Sequence, residues 1–139
     1  MDKTTVIIAD NSEEFCAALS AALHRTDRFE VVGIANDGEQ AIRMIEERRP
    51  DLLVLDLMLA KRDGISVLKA ISSLDYPPAT LATSGFVTEF VASAAAGLGA
   101  RYLMLKPCDM AALVERLDEI RGGESQRKTL NRRTGKQSI

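Results

Sequence analysis

An unbroken apolar run that ends in an acid constrains the fold of this chain more than any other feature. Residues 52–55, Leu-Leu-Val-Leu, are followed directly by Asp56. Continuous apolar runs of this length, bounded by turn residues, are typical of a strand buried on both faces of a parallel sheet. Pro50-Asp51 precedes the run and residues 61–64, Lys-Arg-Asp-Gly, follow it. The pattern therefore predicts a strand that delivers Asp56 to its C-terminal end.

Three further apolar runs also lead into polar side chains. Residues 4–9 lead to Asp10, residues 79–82 to Thr83, and residues 101–105 to Lys106. Ligands of open α/β sheets bind outside the carboxyl ends of the strands. Four strand ends would thus offer two acids, a hydroxyl and an amine at one edge of a sheet.

Segments with helical spacing separate these runs. Phe15, Leu19 and Leu23 form the apolar stripe of the first predicted helix, which Cys16 flanks as inert packing. We expect Asn11 to cap this helix, with Glu14 three residues on. A second strand covers residues 29–34, and four more helices cover about 38–48, 64–71, 87–96 and 110–121. Strand and helix alternate five times, which predicts a doubly wound α/β fold.

Five segments together resemble the receiver domain of bacterial response regulators, over roughly residues 4–121. They are Ile-Ala-Asp-Asn at 8–11, Val-Val-Gly-Ile-Ala-Asn-Asp-Gly at 31–38, Pro-Asp-Leu-Leu-Val-Leu-Asp at 50–56, Asp-Gly-Ile-Ser-Val-Leu at 63–68, and Leu-Gly-Ala-Arg-Tyr-Leu-Met-Leu-Lys-Pro at 98–107. Within that family the chain is most similar to the receivers of sporulation master transcription factors. Together with right-handed crossovers, the resemblance implies a flavodoxin-like, five-stranded parallel sheet in order 2-1-3-4-5.

The resemblance also implies a role for each strand-end residue. Asp56 would be the phosphoacceptor, Thr83 the switch hydroxyl and Lys106 the phosphate-contacting amine. The metal site would hold Mg²⁺ through Asp10, Asn11, Asp56 and the Met58 carbonyl. A hard divalent cation relieves the repulsion between adjacent carboxylates and prefers oxygen ligands.

The chain departs from the family pattern at two positions that bear on function. Relatives usually have an acid where this chain has Asn11, and a neutral carboxamide attracts Mg²⁺ less than a carboxylate. Leu103 stands three residues before Lys106, where many relatives have an aromatic side chain that moves on activation. Tyr102 is one residue off, and strand alternation predicts that it faces the other side of the sheet.

Our leading interpretation is a phosphorylation-controlled signalling switch rather than an enzyme. Its phosphodonor would be a histidine kinase or a histidine phosphotransfer protein of a two-component system or phosphorelay. Phosphorylation would change partner binding, with homodimers and a DNA-binding effector domain in a longer, transcription-regulating chain as candidate outputs. The main alternative is a pseudo-receiver, an interaction module whose Asn11 prevents phosphorylation. A small aspartate-nucleophile phosphatase ranks lower, because Met58 stands where that group has a second acid. Flavin binding is disfavoured, because no phosphate-cradling loop follows the first strand.

Charge divides the chain into two predicted parts. The net charge of −2 over 139 residues combines −6 for residues 1–121 with +4 for residues 122–139. The second part has few apolar residues, so we predict a receiver domain at 1–121 and a basic flexible tail or linker at 122–139. The two cysteines are far apart in sequence, and no apolar stretch approaches the roughly 20 residues that cross a bilayer. We therefore expect a cytoplasmic protein without membrane contact.

Overall fold

Strands and helices alternate along the whole described part of the chain. The structure, a computed structural model, describes the backbone of residues 2–134 and the side-chain environment of residues 2–123. Its elements are β1 (Thr4–Ala9), α1 (Glu13–Thr26), β2 (Phe29–Ala35), α2 (Gly38–Arg48), β3 (Leu52–Asp56), α3 (Gly64–Ile71), β4 (Ala79–Ser84), α4 (Glu89–Gly97), β5 (Ala100–Leu105) and α5 (Met110–Thr134). All strand pairs are parallel, and the sheet order is β2-β1-β3-β4-β5. The predicted doubly wound α/β fold and strand order are confirmed.

Two apolar layers enclose the sheet, one on each face. Ile7, Leu53 and Leu55 point into the layer beneath α2, α3 and α4. Val6 and Val54 belong to the opposite layer, beneath α1 and α5. Burial of each such side chain stabilises the fold by roughly 1.5–3 kcal/mol relative to exposure. Every residue of β3 is buried, so the sheet centre and the end of β3 are fixed from both sides.

The prediction that Asn11 caps α1 is wrong. The N-cap is Ser12, whose Oγ accepts the backbone N–H of Phe15 at 3.2 Å. Ser12 has extended backbone angles, φ −90° and ψ 110°, as an N-cap requires. Its own N–H donates to Asp10 Oδ1 at 2.8 Å, which fixes the turn between β1 and α1. Serine caps about as well as asparagine, so the helix begins one residue later than the sequence pattern predicts.

Helix α5 is longer than predicted. It runs from Met110 to Thr134 instead of ending near Arg121, so the helix includes residues 122–134. Glu, Gln, Arg and Lys, which have high intrinsic helix propensity, occur repeatedly between residues 124 and 133. Residues 135–139 lie outside the described residues, and the division into a receiver and a linker stays a prediction. Among the described helices, none combines the length and the hydropathy needed to cross a bilayer.

The start of α2 is packed against the loop between β3 and α3. Gly38 N–H donates to the carbonyl of Ala60 at 3.3 Å. A Cβ atom at Gly38 would lie 2.0 Å from the carbonyl oxygen of Arg62, so only glycine permits this approach. Lys61, in the left-handed region at φ 63°, also pairs with Asp37 at 3.7 Å. These contacts hold the loop that follows Asp56.

We expect Gly38→Ala to lower the free energy of unfolding by about 1–3 kcal/mol, because backbone must move to admit the methyl group. Gly97→Ala is the matched control, since a Cβ there would meet nothing within 4 Å. That control should leave stability unchanged or raise it by up to about 1 kcal/mol. Urea denaturation of both variants measures the difference, and equal midpoints would contradict the close approach at Gly38.

Candidate functional site

Four of the predicted site residues converge where the strands end. Asp10 follows β1, Asp56 ends β3, Thr83 lies in β4 and Lys106 follows β5. Asp56 pairs directly with Thr83 in the sheet register. Backbone bonds continue this alignment past the strands: Leu57 N–H donates to Thr83 O, and Lys106 N–H donates to Ser84 O, both at 2.8 Å.

A charge cluster forms the centre of the site. Lys106 Nζ donates to Asp10 Oδ2 and lies 3.5 Å from Asp56 Oδ2. The side chains of Asp10 and Asp56 are 1% and 8% exposed, so water screens their mutual repulsion poorly. Burial by itself lowers the pKa of Lys106, but the hydrogen bond to Asp10 and the charge of Asp56 outweigh it, and the pKa lies above its ordinary value. The amine is therefore a stable counter-ion for the two acids.

The backbone fixes the second oxygen of each carboxylate. Asp10 Oδ1 accepts the N–H of Ser12 at 2.8 Å, and Asp56 Oδ1 accepts the N–H of Met58 at 2.9 Å. Each carboxylate thus turns its Oδ2 toward the ammonium group of Lys106. The two carboxylates are held in fixed orientations, with their second oxygens on one cation. The cluster is therefore preorganised to bind a further charged group.

The hydroxyl of Thr83 is an unsatisfied group at the edge of this cluster. Thr83 is fully buried, and its Oγ1 has no hydrogen-bond partner within the described part of the chain. A buried hydroxyl without a partner costs about 1–3 kcal/mol relative to a bonded one. Such a group in a native structure calls for an explanation, and a ligand oxygen is a suitable partner.

The other two predicted site residues, Asn11 and Met58, lie next to the acids but are exposed. The Met58 side chain reaches solvent at 63% exposure, while its backbone N–H binds Asp56. Only two acids meet here, and no set of three or more His, Cys, Asp or Glu side chains in the described residues could hold a metal. Two carboxylates with neutral oxygens from a carboxamide and a carbonyl still fit a hard divalent cation that retains water ligands.

Two neighbours of the cluster were not predicted from the sequence as part of the site. The Phe15 ring faces Lys106, with Nζ 4.3 Å from the ring centroid. Cys16 donates its S–H to the carbonyl of Asp10 at 3.4 Å. Burial, followed by the charge of Asp10, raises the pKa of the Cys16 thiol to about 11, which agrees with inert packing. The position of Phe15 in the first turn after Asp10 was the available signal, because that turn lies beside the strand end.

A family model for the response regulator receiver domain matches residues 6–118. This chain belongs to that family. The receiver domain shares 28% identity with the signal receiver domain of the putative response regulator NarL from Mycobacterium tuberculosis, with a TM-score of 0.81 over 88% of this chain and 99% of the other. It shares 25% identity with a LuxR-family two-component response regulator from Aurantimonas sp. SI85-9A1, with a TM-score of 0.80 over 88% of this chain and 87% of the other. It shares 25% identity with a chain of the CheX-CheY-BeF3-Mg+2 complex from Borrelia burgdorferi, with a TM-score of 0.78 over 84% of this chain and 88% of the other.

The Thr83 hydroxyl, which has no partner among the described residues, leads to a prediction about the stability of the unliganded receiver domain. Thr83→Val should raise the free energy of unfolding by about 1 kcal/mol, because it replaces an unsatisfied polar group with an apolar one of the same shape. Thr80→Val is the control: Thr80 is also buried, but its Oγ1 donates to Pro78 O at 3.3 Å, so that variant should lose stability. Thermal and urea denaturation test both, and destabilisation of the two variants by equal amounts would contradict the assignment.

Proposed function

We propose that this receiver domain accepts a phosphoryl group on Asp56 from a phosphohistidine donor in a Mg²⁺-dependent reaction, and that the modification switches its binding partners. The observation that carries the proposal is the cluster at the strand ends: two buried acids share one ammonium group beside the buried hydroxyl of Thr83, which has no partner among the described residues. A phosphoryl group on Asp56 would give Lys106 and Thr83 the oxygen acceptors that suit them.

Asp56 is the better nucleophile of the two acids. Its side chain is more exposed than that of Asp10, at 8% against 1%, and its Oδ2 lies farther from the ammonium group than Asp10 Oδ2 does. A bond would form from Asp56 to phosphorus while the bond from phosphorus to the donor's imidazole nitrogen breaks. The transition state of such transfers is loose, so the protein contributes mainly alignment and positive charge.

The side chain of Lys106 supplies positive charge from the protein itself to the phosphoryl transfer. Its raised pKa keeps it protonated at neutral pH, and it already lies within 3.5 Å of Asp56 Oδ2. Asp10, Asn11, Asp56 and the Met58 carbonyl would hold Mg²⁺, which when bound supplies further charge to a phosphoryl oxygen. The structure of the Borrelia burgdorferi relative is described as a complex with BeF3 and Mg+2. This description supports the proposal that the present site has the same chemistry.

Thr83 would couple the modification to the surface. Donation of its hydroxyl to a phosphoryl oxygen would satisfy the buried group and draw the end of β4 toward Asp56. The adjacent Ser84 Oγ donates to Phe86 O at 2.6 Å and accepts the Phe86 N–H at 3.2 Å. Movement of β4 would thus reach the loop before α4, where Phe86 and Phe90 are 64% and 82% exposed. We infer that this face exchanges partners, including effector domains or a second copy of the chain.

The biological setting is inferred from sequence and family. The five segments that resemble sporulation master transcription factors motivate a role in transcription regulation, with sporulation as the specific hypothesis. The donor would be a histidine kinase or histidine phosphotransfer protein in the cytoplasm. The LuxR-family description of the Aurantimonas relative supports an effector domain as the output partner.

The rival function is that of a pseudo-receiver, and the observation that favours it is Asn11. With this residue the site has two charged metal ligands instead of three, which weakens the attraction for Mg²⁺. A pseudo-receiver would keep the fold and the Lys106 ion pairs but would take no phosphoryl group.

Mass spectrometry after incubation with acetyl phosphate and Mg²⁺ tests the proposal. The natural protein should gain the mass of one phosphoryl group, and Asp56→Asn should gain none. Asp63→Asn is the control, because Asp63 is exposed and caps α3 through Ser66 N–H, a task that asparagine performs equally well. A mass gain that survives Asp56→Asn would refute the assigned site, and no gain in the natural protein would favour the pseudo-receiver.

Asn11→Asp should lower the Mg²⁺ concentration needed for half-maximal phosphorylation on the order of tenfold, because a charged ligand replaces a neutral one. Its cost to the helix should be small, since Ser12 and not Asn11 caps α1. Ser73→Asp controls for net charge: this exposed residue follows α3, at the edge where the strands begin. Equal Mg²⁺ dependence of the natural and Asn11→Asp proteins would show that Asn11 is no handicap.

A further inference from the structure

The Phe15 side chain contacts the charge cluster without contributing any polar atom. It lies in the first turn of α1, half-buried, with its ring beneath the ammonium group of Lys106 at 4.3 Å. The face of an aromatic ring carries partial negative charge and attracts a cation within about 6 Å of its centroid. The Lys106 side chain is only 21% exposed, and such attraction strengthens as water is excluded.

Four contacts link Phe15 to the site in a closed circuit. Asp10 accepts the N–H of Ser12, and the Ser12 hydroxyl accepts the N–H of Phe15. The Phe15 ring contacts the ammonium group of Lys106, which in turn donates to Asp10. The orientation of the ring is therefore set by the same turn that orients the Asp10 carboxylate.

The contact of the Phe15 ring with Lys106 differs from the carboxylate contacts in how it responds to an incoming ligand. A cation or a phosphoryl group that binds at Asp10 and Asp56 would compete for the oxygens that now hold the ammonium group. The ring has no oxygen for which such a group would compete, so its contact with Lys106 does not depend on the carboxylates. It would still attract the ammonium group when the carboxylate contacts are weakened.

We propose that Phe15 is a positioning residue, whose ring holds the Lys106 ammonium group over the site so that it meets a phosphoryl oxygen on Asp56. This inference rests on the proposed function, since it concerns the same reaction. It assigns to Phe15 a task beyond packing, although the side chain also contacts the apolar layer beneath α1 and α5.

Two substitutions separate the ring face from the packing. Phe15→Leu keeps an apolar side chain of similar reach but removes the ring, whereas Phe15→Tyr keeps the ring face. Tyr102→Leu is the matched control, because it removes a different cation–ring contact, that of Arg116 at 5.6 Å from the Tyr102 centroid. A purely structural role would not distinguish leucine from tyrosine by their effect on Lys106.

Proton NMR of the unliganded protein is the first measurement. The ε-methylene protons of Lys106 should be shifted upfield by the ring current of Phe15. Phe15→Leu should move them to the ordinary lysine position, while Phe15→Tyr and Tyr102→Leu should keep the shift. A shift that persists in Phe15→Leu would overturn the proposal.

Titration with beryllium fluoride at saturating Mg²⁺, and with Mg²⁺ alone, is the second measurement. Phe15→Leu should weaken beryllium fluoride binding about three- to tenfold, which is the size of one cation–ring contact, and should leave Mg²⁺ affinity unchanged. Phe15→Tyr should restore the binding. An equal loss for both ligands, or a loss that tyrosine does not restore, would overturn the positioning role.

The outcomes also separate this inference from the proposed function. If the natural protein binds beryllium fluoride and Phe15→Leu binds it equally well, the role of Phe15 is overturned and the proposed function stands. If the natural protein binds none, the proposed function fails, and with it the task assigned to Phe15.

Discussion

The ammonium group of Lys106 between the carboxylates of Asp10 and Asp56 is the interaction on which the rest of the site depends. Two nearly buried acids at neighbouring strand ends repel each other, and desolvation makes each charge costly. Removal of the amine would leave uncompensated charge in the interior, which is among the most destabilising changes in a protein. The ammonium group thus offsets the repulsion between the two carboxylates and holds them close together.

The sheet order is what brings these groups together from distant parts of the chain. β1 and β3 are neighbours although α1, β2 and α2 separate them in sequence. Parallel strands all end at one edge, and the ladder continues past the strands through the bonds of Leu57 and Lys106. The apolar layers on both faces make that edge rigid, so the side chains that follow the strands meet in a fixed arrangement.

The alternation of apolar runs and helical stripes predicted a doubly wound fold, and the general rule about strand ends placed Asp10, Asp56, Thr83 and Lys106 at one edge of the sheet. The strand order that makes them neighbours was implied by right-handed crossovers and by the resemblance to receiver domains. The N-cap of α1 was not predictable, because Asn11 and Ser12 are equally good caps and only the Asp10–Ser12 bond decides between them. The ring of Phe15 was assigned to the core, since periodicity does not reveal which end of an apolar stripe reaches a charged site. The end of α5 was missed because residues 122–139 were assigned to a flexible tail on the basis of their few apolar residues, and their helix propensity was not considered.

The choice of Ser12 as the helix cap has a consequence for how this protein can change over generations. Position 11 is exposed and carries no capping duty, so its occupant is released from the demands of folding. Asparagine and aspartate codons differ by a single base. If the site binds Mg²⁺ as proposed, one point mutation would therefore adjust how strongly the site responds to the cell's magnesium, and so the signalling threshold, with a small effect on the scaffold.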